Sequence, residues 1–163
     1  MTNPAEGSGL TFEQLIDDLK SGIGMVRINA ATALGKLADR RGIPALMEAL
    51  EDTNPGVRSN AAFALGTMKS GEAVDGLIKA LHDDQERVRK SAAKALGMIR
   101  SRKAVDALII RLSDSAYIVR KSAARSLGQI GDRRARPALE RASSDADLSV
   151  ASMARESLEK LGN

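Results

Sequence analysis

The sequence predicts an all-α fold, a solenoid of five stacked helix pairs, on three observations. The first is self-repetition. Val26-Arg27 recurs as Val57-Arg58, Val88-Arg89 and Val119-Arg120, always 31 residues on, and Val150 continues the series with Ala151 in place of arginine. Leu34-Gly35, Leu65-Gly66, Leu96-Gly97 and Leu127-Gly128 keep the same step, as do Ala30, Ala61, Ala92, Ala123 and Ala154 and the row Leu15, Leu46, Leu77, Leu108 and Leu139. A fixed period of this length is the signature of a stacked-repeat architecture. The second observation is helical spacing of apolar residues within each unit, and the third is that no stretch alternates as a strand would. An eight-residue leader, 1–8, and one domain of five units, 9–39, 40–70, 71–101, 102–132 and 133–163, account for all 163 residues.

The elements follow in order. The leader is rich in Gly, Pro and Ser and reads as flexible linker. Thr11 with Gln14 forms a capping-box pattern that starts the first helix. In that unit Gln14 and Asp18 stand where later units mostly carry Ala or Gly, as expected of a terminal unit with a polar outer face. In the second unit Ile43, Leu46, Met47 and Leu50 make one face of a short first helix. Asp52-Thr53-Asn54-Pro55-Gly56 breaks it, and Pro55 suits an early position in the next helix. Val57, Ala61, Leu65 and Met68 form the apolar face of that longer second helix, and Ser70-Gly71 is expected to end it. The third and fourth units repeat this plan. In the fifth, Glu140 and Ser143 replace apolar residues, which predicts a frayed first helix; Arg155 and Glu159 replace an alanine and a glycine, which predicts a polar cap. These polar ends predict that the solenoid begins and ends within this sequence.

Two rows carry charge. Asp52, Asp83 and Asp114 lie six residues before Arg58, Arg89 and Arg120. A carboxylate at the turn and a guanidinium in the first turn of the second helix predict a ladder of ion pairs between adjacent units that fixes stacking register. The alanines and glycine at 61, 62, 64 and 66 predict close approach of neighbouring second helices.

Val-Arg-x-x-Ala-Ala-x-Ala-Leu-Gly followed by an aliphatic residue one position on appears at 26–37, 57–68 and 88–99, and with Ser126 for one alanine at 119–130. With the preceding leucine-rich helix and aspartate turn, it resembles the short HEAT-like repeat of the phycobilisome-lyase type. The resemblance spans about 155 residues, from 9 onward. It implies a right-handed armadillo-like superhelix with first helices on the convex side and second helices on the concave side. It then implies that the variable second-helix positions face a groove: Ser59, Asn60, Phe63 and Thr67, then Arg87, Lys90, Ser91, Lys94 and Met98, then Tyr117, Ile118, Lys121, Ser122, Arg125 and Gln129. The candidate binding residues are Phe63, Arg87, Lys90, Lys94, Tyr117, Lys121 and Arg125, because aromatics and arginine dominate interface hot spots. Packing of Phe63 and simple solvation of the lysines are the competing explanation.

Net charge is +4, and the fourth unit alone carries +3. The turns between units are basic (Arg40-Arg41, Lys69, Arg100, Arg102-Lys103, Arg133-Arg134, Arg136) and the turns within units acidic, so stacking predicts one basic and one acidic edge. Acids at the start and bases at the end of the second helices also complement the helix dipole. The chain lacks cysteine, which excludes disulfides and thiol chemistry, and its one histidine, His82, excludes a multi-histidine metal cage. The iron-hydroxylase branch of the HEAT-like proteins uses repeated His-Glu pairs, which one histidine cannot supply. His82-Asp83-Asp84 is better explained by a histidine at a helix end beside a structural aspartate. No phosphate loop occurs, and Gly22-Ile23-Gly24 has no strand before it. No catalytic residue, metal site or cofactor is expected. The sequence points to a non-catalytic interaction scaffold that binds an acidic protein or peptide on the concave face. The chain is expected to be monomeric, without a membrane span, and cytoplasmic. Nucleic-acid binding along the basic groove or edge is the alternative, though three aromatics and a small net charge favour it little. A bilin-lyase-like subunit is a further alternative, implied by the resemblance alone.

Overall fold

The computed structural model describes residues 9–162 and is all-helical among them. Five helix pairs follow one another: α1 (Phe12–Asp18) and α2 (Gly24–Leu37), α3 (Ile43–Glu48) and α4 (Pro55–Thr67), α5 (Val74–Ala80) and α6 (Glu86–Ile99), α7 (Val105–Arg111) and α8 (Tyr117–Ile130), α9 (Arg136–Ala142) and α10 (Leu148–Leu161). The predicted flexible leader, 1–8, lies outside the described residues. Helix α9 is formed over the same seven residues' length as α5 and α7, so the expected fraying of the last unit is not seen. Leu139, fully buried, and Ala138 and Ala142 supply the apolar face that Glu140 and Ser143 do not.

The helix ends follow from local chemistry. Thr11 and Gln14 close a reciprocal capping box, with Gln14 N–H to Thr11 Oγ1 at 3.2 Å and Thr11 N–H to Gln14 Oε1 at 2.7 Å. Pro55 is the first residue of α4, and the Asn54 side chain accepts from Gly56 N–H. The second helices stop earlier than Ser70-Gly71 predicts. Lys69 itself adopts the left-handed conformation (φ 50°), and Ser70 N–H reaches back to the Leu65 carbonyl. Ala38, Arg100 and Gly131 occupy the same position in their units with φ of 54°, 58° and 74°, so three of four such stops are made without glycine.

Burial follows the repeat rows. Leu46, Leu77, Leu108 and Leu139 of the first helices and Val57, Val88, Val119 and Val150 of the second are fully buried, and all but Val119 and Val150 belong to one continuous core. Each inner second helix packs directly against the second helices of both neighbours, while each first helix packs mainly on its own partner. The glycine row is the cause. Gly35, Gly66, Gly97 and Gly128 lie against Ala64, Ala95, Ser126 and Ser157 of the next unit; a Cβ on Gly66 would stand 2.6 Å from the Ala95 Cα. The second helices are therefore the more closely packed layer of the stack.

Candidate functional site

The turn edge is built first, because it holds the second helices in register. Each conserved-step arginine is a clamp between two turns. Arg58 donates through Nε and Nη2 to both oxygens of Asp83 in the next unit, at 2.7 and 2.9 Å, and through Nη1 to the Asp52 carbonyl of its own turn at 2.8 Å. Arg89 does the same to Asp114 and the Asp83 carbonyl, and Arg120 to Asp145 and the Asp114 carbonyl. The first rung is Arg27 to Asp52. Each aspartate also accepts the backbone N–H two residues on, which pins the turn. These bidentate charge-assisted bonds are geometrically strict. Within a unit the aspartate thus offers its arginine only a carbonyl; its carboxylate belongs to the arginine of the unit before. Arg27 and Asp145 complete the set, and their places in the 31-residue rows are the signal that finds them. Ser21 stands in the aspartate row of the first unit and Ala151 in the arginine row of the last.

The Arg27 guanidinium holds the Asp52 carboxyl below its usual range, and Arg120 does the same for Asp145. At Asp83 and Asp114 burial pushes the carboxyl up, but the guanidinium and the turn N–H outweigh it and the pKa is again lowered. Two open clefts of about 450 and 360 Å³ follow this edge, lined by Arg58, Lys79, His82 and Asp83 and by His82, Arg89, Arg111 and Asp114. Their aspartates and the Arg58 and Arg89 guanidinium groups are already engaged in the ladder. His82 is exposed, with Nδ1 3.3 Å from the Ile78 carbonyl. Among the described residues no cluster of His, Asp and Glu could hold a metal ion.

The exposed face of the second helices is different in kind. Its central row, at 31-residue steps, is Thr32, Phe63, Lys94, Arg125 and Glu156, all exposed. Phe63 is 50% exposed in the middle of α4. One turn before Lys94 and Arg125 lie Lys90 and Lys121, whose half-buried stems cross the helix surface. Arg87, exposed, lies two turns before Lys94 on nearly the same helical face. Lysines and arginines four apart on one helix are about 6 Å apart along its axis, and neighbouring helices are about 8–10 Å apart. The structure therefore gathers five cations onto two adjacent helices.

Among the described residues, none of Arg87, Lys90, Lys94, Lys121 and Arg125 makes an ion pair within 4 Å. Several cations of the basic edge, by contrast, are matched: Arg40 with Glu72, Arg41 with Asp39, Lys103 with Asp75, and Arg134 with Asp106 and Asp132. Arg41 also lies 4.3 Å over the Phe12 ring. Arg136 pairs with Glu140 and donates to the Gly162 carbonyl.

Not every residue predicted for the groove faces it. Ser59, Ser91 and Ser122 are buried; the Ser59 and Ser91 hydroxyls meet at 2.9 Å between α4 and α6. Tyr117, 52% exposed, is the first residue of α8, two turns from Arg125 and roughly 80° around the helix from it. It holds the same repeat position as Leu148, 83% exposed at the start of α10, and lies outside the row of Phe63. Thr32 and Glu156 extend the central row into the first and last units, and the 31-residue step from Phe63 and Arg125 is the signal that finds them.

Fold and face together define a class: an α-solenoid of two-helix repeats with a charged second-helix face. The particular family follows from comparison with known proteins. A family model of HEAT repeats matches residues 12–90, 43–121 and 74–159, and the chain belongs to the HEAT-repeat family. Among solved structures, the complex of CpcE and CpcF of phycocyanin lyase from Nostoc sp. PCC7120 contains a chain similar to this one at 30% identity, with a TM-score of 0.87 over 96% of this chain and 66% of that one. An engineered protein is similar at 27% identity and TM-score 0.71, covering 92% and 78%. A designed armadillo repeat protein in complex with the peptide (KR)4 shares the fold at 22% identity and TM-score 0.73, covering 93% and 82%. Among curated proteins none matches. No helix of the described residues is long and apolar enough to cross a membrane.

Proposed function

We propose that this chain is a non-catalytic scaffold whose concave second-helix face binds an acidic segment of a partner protein. One observation carries the reading: among the described residues five cations on α6 and α8 make no ion pair within 4 Å, while several cations of the basic edge and the four arginines of the ladder do. A stack that pairs so many of its charges leaves these for an external anion. Phe63 adds an apolar contact beside them, and Tyr117 one at the rim. The ladder serves this function indirectly, by holding the cation-bearing helices in register before the partner arrives, so that little ordering cost falls on binding.

The test is titration of a labelled glutamate-rich peptide and of a single-stranded DNA oligonucleotide of equal charge, each at two salt concentrations, into wild type and into the Lys90→Glu/Lys121→Glu variant. The variant is expected to keep its helicity and melting temperature and to lose the peptide. Equal peptide affinity in both proteins would move the site off this face. Tighter binding of the DNA, falling steeply with salt, would replace the peptide by nucleic acid as the ligand class.

A second reading rests on the similarity to the phycocyanin lyase subunits: a tetrapyrrole-handling subunit that works beside a partner chain. It predicts that a bilin mixed with the protein co-elutes on gel filtration with a shifted visible absorbance; an unbound bilin would remove this reading and leave the first untouched.

A further inference from the structure

The central row of the concave face changes character along the stack: Thr32, Phe63, Lys94, Arg125, Glu156. Glycine contacts hold the helices that carry it at close spacing, and every member is exposed. A ligand that crosses the second helices along this row meets an uncharged polar side chain, an aromatic ring, two cations and then a carboxylate. The row one turn earlier agrees, with Lys90 and Lys121 beside the two cations and the exposed, neutral Ser152 beyond them; Ser59, on the other side, is buried and adds no charge. The attractive window is thus two helices wide. One flank, at Phe63, is apolar. The other, at Glu156, carries negative charge; Lys160 offsets part of it across an exposed pair of 2.7 Å, and Arg125 attracts it through space, beyond ion-pair distance.

On the reading that this face binds an acidic partner, we infer that the partner segment carries a short acidic run, bounded by an apolar residue on the Phe63 side and by a non-acidic residue on the Glu156 side. The spacing follows from geometry. Neighbouring second helices are about 8–10 Å apart, and an extended chain rises about 3.3 Å per residue, so successive anchors fall about three residues apart. The segment therefore presents an apolar residue, then one acid three positions on and a second acid three further, with no third acid beyond. The aromatic supplies affinity as a half-exposed anchor, the cations supply register and steering, and Glu156 sets the limit of the run.

Three labelled peptides of one length test this by fluorescence anisotropy against the full chain. The first has leucine, glutamate and glutamate at three-residue intervals, then serine. The second has a third glutamate in place of that serine. The third has the composition of the first with leucine placed between the glutamates. The first peptide is expected to bind wild type tighter than the other two. Phe63→Ala should weaken it ~10-fold and abolish its advantage over the third. Glu156→Gln should tighten the second peptide roughly threefold and leave the first unchanged. Lys94→Glu separates this inference from the reading beneath it. Loss of all three peptides in Lys94→Glu, with wild type ranking them equally, would keep the acidic face and overturn the order of anchors. No response to Lys94→Glu, or no binding of any peptide to wild type, would overturn both. All three substitutions are at exposed positions, and unchanged far-ultraviolet circular dichroism checks that each variant is folded.

Discussion

Asp114→Ala removes the carboxylate of the most deeply buried rung. The Asp114 side chain is 3% exposed and that of Arg89 11%. The variant leaves Arg89 with its bonds to the Asp83 and Asp84 carbonyls but with no anion, takes from Arg111 the carboxylate 3.5 Å away, and frees the Ala116 N–H that pins the turn before α8. Breaking a buried pair by removing one partner costs about 3–5 kcal/mol. Two surviving carbonyl acceptors and the slight exposure of Arg89 place this rung at the lower end, at about 3 kcal/mol. For a chain of this size that is a fall of roughly 6–12 °C in melting temperature. The assay is urea unfolding followed by far-ultraviolet circular dichroism, with Asp145→Ala, whose rung is more exposed at 12% and 18%, expected to cost less. The Arg89→Met/Asp114→Leu double variant should recover part of the loss, because it removes the uncompensated charge of Arg89 while Arg111, 18% exposed, still lacks its anion. A loss below about 1 kcal/mol for Asp114→Ala, or a larger loss for Asp145→Ala, would refute burial of the rung as the source of its strength.

Three further outcomes are expected. Gly66→Ala should lower the melting temperature, because its Cβ would meet the Ala95 backbone at 2.6 Å and overpacking of about 1–3 kcal/mol outweighs the gain of about 1 kcal/mol in helix propensity; Gly71→Ala, where nothing lies within 4 Å, should not. Lys69→Gly should stabilise by about 0.5–1 kcal/mol by relieving a left-handed lysine, read by the same urea titration, and a loss of stability would place the strain elsewhere. Acid should unfold the chain through its aspartates. The pKa values of Asp52, Asp83, Asp114 and Asp145 are lowered from 3.8, so the unfolded state binds more protons than the folded state in the window just below that value. Their contribution is complete above about pH 5 and drains away as pH falls below about 4. A melting temperature already falling between pH 7 and 5 would mean that other groups control acid stability.

The repeat made the fold legible. Rows such as Leu46, Leu77 and Leu108 combine helical spacing with a fixed period, so burial could be assigned position by position. The pairing partners in the ladder were half legible. The six-residue step from Asp52 to Arg58 was visible, but that a guanidinium reaches forward 25 residues to the next carboxylate depends on how far one unit is displaced from the next. Ser59 and Ser91 looked like surface positions because serine is usually exposed; their mutual hydrogen bond is what allows them inside. Lys69 gave no signal as a helix stop because a lysine in the left-handed region is tolerated only when the following unit holds the turn in place. The cations were visible as letters, and their gathering on α6 and α8 was implied by family resemblance. That they make no ion pair within 4 Å among the described residues was not visible, since edge cations such as Lys103 and Arg134 look identical in sequence and are paired in the structure.

The claim that the concave face is the binding site is tested most directly by titrating the isotope-labelled chain with a glutamate-rich peptide and following backbone amide shifts. The account predicts that the largest changes fall at Arg87, Lys90 and Lys94 on α6 and at Lys121 and Arg125 on α8, with Phe63 beside them. Changes centred instead on Arg100, Arg102 and Lys103 or on Arg133 and Arg134 would place the ligand on the basic edge and contradict it.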